Sequence, residues 1–495
     1  MKTLLDMFER AAREEKTNCI QFQELDGIRA KYTYQELWER SVKVSHFLKK
    51  MISQNILKLG DRVIIITITH ENFLDAFFGA QLAGLVPVAF YPPVTFGALG
   101  EWIKQSADSI MHLESKLVLT QKMFLTPIYS VKSQVKEKLH VFEIDDCLKI
   151  QEKFPDISIK GSDLAFIQMS SGSTGRQKPV CITHEAALMN TQTIMEAFNM
   201  PMEEIRAVGW LPLYHDMGLV GILFGSIFAK ASLTLIRPEH FILRPKIWPR
   251  TISEQRATVS VAPNFAFGLC AKRVTDDSLG DMDLSSWKVA LCGAEMVHRI
   301  TMQAFMDKFS KVKLNPNIIT PVYGLAESTL AVSFSSIESP MKWKFFDVAA
   351  WENHEAVEVL DLSRPHIETV SVGKALKGIK LEIRWEQAKA VGEGKIGQLW
   401  ISGPSLMKEY FNNPQDSQAI LVDGYLNTGD LGLIYEGELY IAGRAKELII
   451  ICGKNYAPSP IEHSLYPMKE LREGKVIAFG DLNTSLGTES LGIMA

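Results

Sequence analysis

The chain has 495 residues, too many for one ordinary hydrophobic core, so about two to four domains or subdomains are expected. Hydrophobic residues make up 46% and charged residues 22%, the balance of a soluble globular enzyme. A net charge of −4 with no basic stripe argues against a nucleic-acid protein, so any anionic ligand must be held by a local site.

Residues 1–15 read as an amphipathic helix carrying acids, not a signal peptide. Helical patterns at 34–51 and 72–83 then alternate with short apolar runs at 63–67, 86–89, 116–120 and 164–169. Such alternation predicts α/β layering with largely parallel sheets. Further strands are expected at 208–211, 232–236, 258–261, 288–292 and 318–320, which make a second α/β lobe. Residues 218–236 are nearly all apolar, but Lys230 and frequent Gly, Ser and Thr favour a core βα segment over a membrane span. Beyond Val370 come short strands at 380–385, 397–402 and 432–443, broken by glycine turns, as in a β-rich subdomain. A strand at 448–452 opens a last domain. The expected organisation is thus an N-terminal domain over 1–442, in two α/β lobes (about 1–205 and 206–365) and a β-rich subdomain (about 366–442). A hinge and a partial small α+β C-terminal domain follow over 443–495. The six cysteines form no CxxC or Cys/His cluster, which predicts buried thiols in a reducing compartment and no structural zinc. A cytoplasmic protein is expected.

The richest segment is Gln168-Met169-Ser170-Ser171-Gly172-Ser173-Thr174-Gly175-Arg176-Gln177-Lys178. Glycines let several N–H groups converge on one anion, hydroxyls add donors, and Lys178 adds a mobile positive charge. The GxxxxGK[ST] order is absent, and a strand at 180–183 follows where a Walker A loop would open a helix. The plain alternative is a flexible Ser/Gly linker. Tyr323-Gly324-Leu325-Ala326-Glu327-Ser328 comes after a strand, pairing a ring able to stack on a purine with a carboxylate able to hold Mg²⁺ on phosphate. Asp430, in Leu426-Asn427-Thr428-Gly429-Asp430, suits two ribose hydroxyls, and Arg444 offers a second polar contact. Singly, each is as readily a solvated loop residue.

In this order and spacing the set resembles the adenylate-forming superfamily of acyl-CoA synthetases, nonribosomal adenylation domains and luciferases. Within it, residues 210–219 (Trp-Leu-Pro-Leu-Tyr-His-Asp-Met-Gly-Leu), Ala262-Pro263-Asn264-Phe265-Ala266-Phe267, Tyr91-Pro92-Pro93 and Leu284-Ser285-Ser286-Trp287 before Gly293-Ala294-Glu295 resemble the fatty acyl-AMP ligases. So does the long segment between Phe334 and Val370, where those enzymes carry an insertion that disfavours CoA. The resemblance implies ATP-dependent activation of a fatty acid to acyl-adenylate with release of pyrophosphate. Transfer to the phosphopantetheine thiol of an acyl carrier protein would follow, in lipid or polyketide–peptide biosynthesis. An acyl-CoA synthetase and a catalytically silent acyl-adenylate-binding paralogue stay open.

By the same resemblance, Ser170, Ser171, Gly172, Ser173, Thr174, Gly175 and Lys178 would hold the ATP phosphates, and Glu327 would bind Mg²⁺. Tyr323 would stack on adenine, with Gly324, Leu325 and Ala326 following it and Gly293, Ala294 and Glu295 along the ring edge. Asp430 and Arg444 would fix the ribose, and Lys446 would be the hinge. His215 would sit beside the carboxylate and α-phosphate, and with Lys178 and Glu327 forms the candidate catalytic set; the alternative for His215 is a hydrogen-bonded core histidine. Phe265, Phe267, Trp248 and Met217 read as core, with some open to an acyl tunnel. Two departures stand out. Lys178 precedes Pro179-Val180 where relatives show Pro-Lys-Gly, and no lysine follows Lys475, where the family has a late catalytic lysine. Loss of that charge-assisted contact predicts adenylation slower by on the order of 10²–10³, as in a truncated or incomplete form.

Overall fold

A computed structural model describes the chain apart from residues 94–98, 136–137, 171–176, 338, 386–389, 446–448, 452–453, 457, 466–467, 469–475 and 484–487. Its N-terminal helix Leu4–Glu14 starts at a capping box, in which Thr3 Oγ1 accepts from Asp6 N (3.0 Å) and Asp6 Oδ2 accepts from Thr3 N (3.1 Å). Helix Tyr34–Ser53 repeats the device with Thr33 and Glu36. Removing such a cap costs about 1 kcal/mol. Helix Glu71–Leu82 is buried on nearly every face. The reason is its place in a seam: Phe78 meets Phe8 (4.5 Å between ring centroids) and Phe224 (6.2 Å), while Phe77 meets Phe166 (5.8 Å). Each fully buried phenylalanine contributes about 2–3 kcal/mol, which makes this aromatic seam a main source of stability.

Two large mixed sheets flank the seam. The seven-stranded sheet runs Glu409–Tyr410, Lys178–Thr183, Leu164–Ser170, Val86–Phe90, Arg62–Ile66, Leu117–Thr120, His140–Glu143. Its last five strands are parallel neighbours, as the α/β alternation predicts, and Lys178–Thr183 folds back antiparallel on Leu164–Ser170. The nine-stranded sheet runs Lys374–Ala375, Ala331–Phe334, Ile319–Gly324, Val289–Cys292, Val259–Ala262, Arg206–Gly209, Ser232–Ile236, Cys19–Glu24, Gly27–Thr33. The expected lobe division at 205 is therefore crossed: the hairpin of residues 19–33 edges the second sheet, with Ile20 in register with Leu233. A β-rich layer follows, Lys380–Arg384, Gly397–Ser402, Tyr425–Tyr435 and Leu421–Val422, with Glu438–Arg444 on Tyr425–Tyr435. Strands Trp343–Asp347 and His366–Val370 pair within the long segment after Phe334. The C-terminal part holds the hairpin Ile449–Ile451/Lys454–Tyr456, helix Pro458–Leu465 and the pair Ile477–Asn483/Thr488–Met494.

Some expected elements shift. The strand expected at 208–211 ends at Gly209, because Pro212 cannot donate to a ladder and Trp210 instead stacks on Phe241 at 4.0 Å. The apolar run 218–236 divides into a π-helix Met217–Phe224, a short α-helix Gly225–Ala229 and strand Ser232–Ile236. Lys230 caps that α-helix in the left-handed region (φ 56°) and reaches Glu14 at 3.2 Å. Among the described residues no helix is long and apolar enough to cross a membrane. Cys19, Cys147, Cys181, Cys270 and Cys292 are free and buried. Burial pushes the Cys181 thiol up to about 12.

Candidate functional site

A cavity of about 1140 Å³ opens among the two large sheets and the β-rich layer. Its charged end begins at the hairpin Leu164–Ser170/Lys178–Thr183, where Ser170 Oγ donates to Lys178 O (3.3 Å) and both residues line the cavity. Ser171, Gly172, Ser173, Thr174 and Gly175 lie outside the described residues, as does Lys446. Lys178 Nζ rests 2.8 Å from Asp416 Oδ2 and 4.8 Å above the ring of Tyr410, between the hairpin and helix Pro414–Ile420.

Glu327 faces the same end. Its Oε1 accepts from Tyr410 Oη at 2.7 Å. Burial raises its pKa; the Tyr410 bond and Lys178 oppose the rise, and Asp216 adds to it. The turn after Glu327 is strained. Thr329 has φ 66° and ψ −54°, and Leu330 N donates to Ser328 O (2.7 Å), the signature of a γ-turn. A β-branched residue held there costs about 1–3 kcal/mol. Just before the turn, Gly324 is obligatory: a Cβ there would come within 1.9 Å of Leu330 O. Leu325 and Ala326 continue the cavity wall.

His215 opens the π-helical segment and is exposed to the cavity, with Nδ1 2.8 Å from Asp216 Oδ1. Burial opposes the imidazolium, yet the charge and hydrogen bond of Asp216 outweigh it and raise the His215 pKa. The core-histidine alternative is thereby set aside. Buried Gln168 donates to Tyr214 O (2.8 Å), tying the His215 loop to strand Leu164–Ser170.

Asp430 joins the third group. Its Oδ2 accepts from Tyr323 Oη at 2.6 Å and its Oδ1 from Arg444 Nε at 3.1 Å, the arginine lying directly across the ladder between Tyr425–Tyr435 and Glu438–Arg444. Burial raises the Asp430 pKa, against the pull of Tyr323 and Arg444. Gly293 packs on strand Ile319–Gly324, where a Cβ would lie 2.9 Å from Val322 O, and Ala294 takes a left-handed φ of 67°. Glu295 Oε1 accepts from Phe265 N (2.6 Å), and burial raises its pKa. The far end of the cavity is apolar, walled by Ile194, Val261, Leu291, Leu330 and Val372, with Gly221 of the π-helix leaving room. Trp248 and Phe267 are core, Met217 is buried against the cavity, and Phe265 is 44% exposed.

Sequence reasoning missed Tyr410, Asp416 and the Gln168 tether. A tyrosine followed by Phe411-Asn412-Asn413-Pro414 carries no chemical signal by itself, and its partner Glu327 lies far away in the chain.

The two large sheets and the β-rich layer thus enclose a cavity lined by both charged and apolar side chains. Residues 7–411 match the AMP-binding enzyme family, and the chain belongs to it. It is 31% identical over 425 residues to a putative acyl-CoA synthetase of Caulobacter vibrioides (85% of this chain, 74% of that protein). It is 29% identical over 507 residues to the medium-chain-fatty-acid–acyl-carrier-protein ligase TtuA of Teredinibacter turnerae (88% of this chain, 75% of that protein). A chain solved in structural and functional studies of fatty acyl-adenylate ligases from E. coli and L. pneumophila superposes with a TM-score of 0.92 at 35% identity, over 99% of this chain and 87% of that one.

Proposed function

We propose that this chain activates a fatty acid with ATP and passes the acyl group to the phosphopantetheine thiol of an acyl carrier protein in the cytoplasm. The observation that carries the reading is the cavity itself, whose single wall brings Lys178, Glu327 and His215 together with apolar side chains such as Val261, Leu291 and Val372. The similarity to fatty acyl-adenylate and acyl-carrier-protein ligases supports the choice of acid and acceptor.

In the first step a carboxylate oxygen attacks the α-phosphorus of ATP, the bond to the bridging oxygen breaks and pyrophosphate leaves. No proton has to move, so the protein's tasks are to position two anions and to offset their charge. His215, whose pKa Asp216 raises, stands beside the carboxylate, where its ring can hydrogen-bond an oxygen of the reacting groups. Lys178, with Ser170 and the loop over 171–175, holds phosphate oxygens. Asp430 and Arg444 take the ribose, Tyr323 the adenine face, and residues 293–295 its edge. A Mg²⁺ ion carried on ATP takes most of its ligands from phosphate oxygens and water and needs one or two protein carboxylates. Glu327 would be such a carboxylate for Mg²⁺, which when bound neutralises phosphate charge. In the second step the carrier thiolate attacks the acyl carbonyl and AMP leaves, with the turn at Lys446 changing the facing surface.

ATP–pyrophosphate exchange across fatty acids of increasing length tests the first step. Exchange that depends on the acid is expected, and none with any acid would overturn it. Offering the acyl-adenylate to a phosphopantetheinylated carrier and to CoA in parallel tests the second, with transfer expected to the carrier only.

A further inference from the structure

Residues 405–411 bridge two parts of the charged end. On one side Lys408 N donates to Cys181 O (2.9 Å) and Phe411 N to Pro179 O (2.8 Å), with Glu409 and Tyr410 in register with Cys181 and Val180. This fastens the segment to the strand that begins at Lys178. On the other side Met407 N donates to Glu327 O (2.8 Å), Thr329 Oγ1 to Ser405 O (2.7 Å), and Tyr410 Oη to Glu327 Oε1 (2.7 Å). The strained turn at Thr329 is thus pinned by the same segment that bonds the carboxylate before it. Tyr410 is only 4% exposed, and its backbone N–H donates to Ser417 Oγ (2.9 Å), so its ring has little freedom to follow Glu327 elsewhere.

The geometry points to Tyr410 as a positioning residue that aims the Glu327 carboxylate. A free glutamate rotates about its last torsion. One fixed hydrogen bond on Oε1 stops that rotation and commits the other oxygen to a cation. Because the same ring lies beneath Lys178 Nζ, Tyr410 also sets the spacing between the lysine that meets phosphate and the carboxylate that meets the metal. The inference rests on Glu327 as the Mg²⁺ carboxylate. Hydrogen-bond partners of metal ligands are typically worth 10–100-fold in metal affinity.

Tyr410→Phe keeps the ring under Lys178 and removes only the hydroxyl. Mn²⁺ binding in the presence of a non-hydrolysable ATP analogue, followed by loss of the free-ion EPR signal, should weaken by about tenfold. The Mg²⁺ concentration for half-maximal pyrophosphate exchange should rise by a similar factor, with the rate at saturating Mg²⁺ changed little. Glu327→Gln is the reference. If it weakens Mn²⁺ binding and Tyr410→Phe does not, Tyr410 is no positioning residue and the reading of Glu327 stands. If neither weakens binding, the reading of Glu327 falls as well. Should Tyr410→Phe fail to fold, Thr329→Val decides: it removes the bond to Ser405 at nearly constant volume and should weaken Mn²⁺ binding in the same direction, and unchanged binding would overturn the inference.

Discussion

At the charged end of the cavity, Lys178, Glu327 and Tyr410 come from three distant stretches of chain, and each is held by another. At the apolar end, Ile194, Val261, Leu291, Leu330 and Val372 also come from separate stretches, but they meet only by packing, Val261 and Leu291 lying in register on adjacent strands. The contrast follows from what burial demands. A charge taken from water must find partners, so every side chain of the first end is fixed by another. An apolar wall needs only to exclude water, so the second end is defined by shape. Removing a charge at the first end should therefore cost the most, and substitutions at the apolar end should retune the choice of acid.

The largest effect is expected for Glu327→Ala, which should lower pyrophosphate exchange at saturating Mg²⁺ by on the order of 10²–10³ with the melting temperature little changed. A drop below tenfold would break the contrast at its strongest point. Asp430→Asn should raise the ATP KM by about 10–100-fold, the worth of hydrogen bonds to a charged group, roughly 1.5–3 kcal/mol. Gly221→Val sharpens the comparison from the other side. A Cβ at 221 already lies 3.2 Å from Leu330 Cδ2, so the larger side chain should lower kcat/KM for long acids by about tenfold, a 1–2 kcal/mol overpacking cost, and spare short ones. Equal losses for all lengths would place the acyl chain elsewhere.

The smallest effect lies outside the cavity. Burial pushes the His184 pKa down to about 4, and its Nδ1 accepts from Leu4 N (3.4 Å). The unfolded chain binds this proton near pH 6.5, so His184 contributes stability that is full above that pH and is lost as pH falls toward 4. The loss at pH 5.5 is about 1 kcal/mol. Subtracting the melting profile of His184→Gln from that of the parent isolates it from His70, which burial lowers to about 4, and from Asp75, which burial raises to about 6. A flat difference profile would refute the assignment.

Much of the fold was legible because its signals are local. The N-terminal helix, the apolar runs of the central strands and the strand that follows the glycine-rich segment all lie within a few residues of what causes them. Tyr323 stands near the end of strand Ile319–Gly324 and Asp430 inside strand Tyr425–Tyr435, and the two meet although they are far apart in sequence. The hydrogen-bond partners were not legible. Nothing near Tyr410, Asp416 or Gln168 marks them, since their roles come from tertiary pairing with Glu327, Lys178 and Tyr214. The hairpin of residues 19–33 was hidden for the same reason, its parallel partner Ser232–Ile236 lying a lobe away.

That hairpin has a consequence for the protein's birth. Its partner strand leaves the ribosome roughly 200 residues later, which at about 5–20 residues per second is a wait of roughly 10–40 s. Throughout that interval Cys19–Glu24 has an unsatisfied edge beside a forming aromatic seam, the kind of surface that recruits the wrong strand. Whatever covers that edge during the interval also keeps it from pairing with the wrong strand.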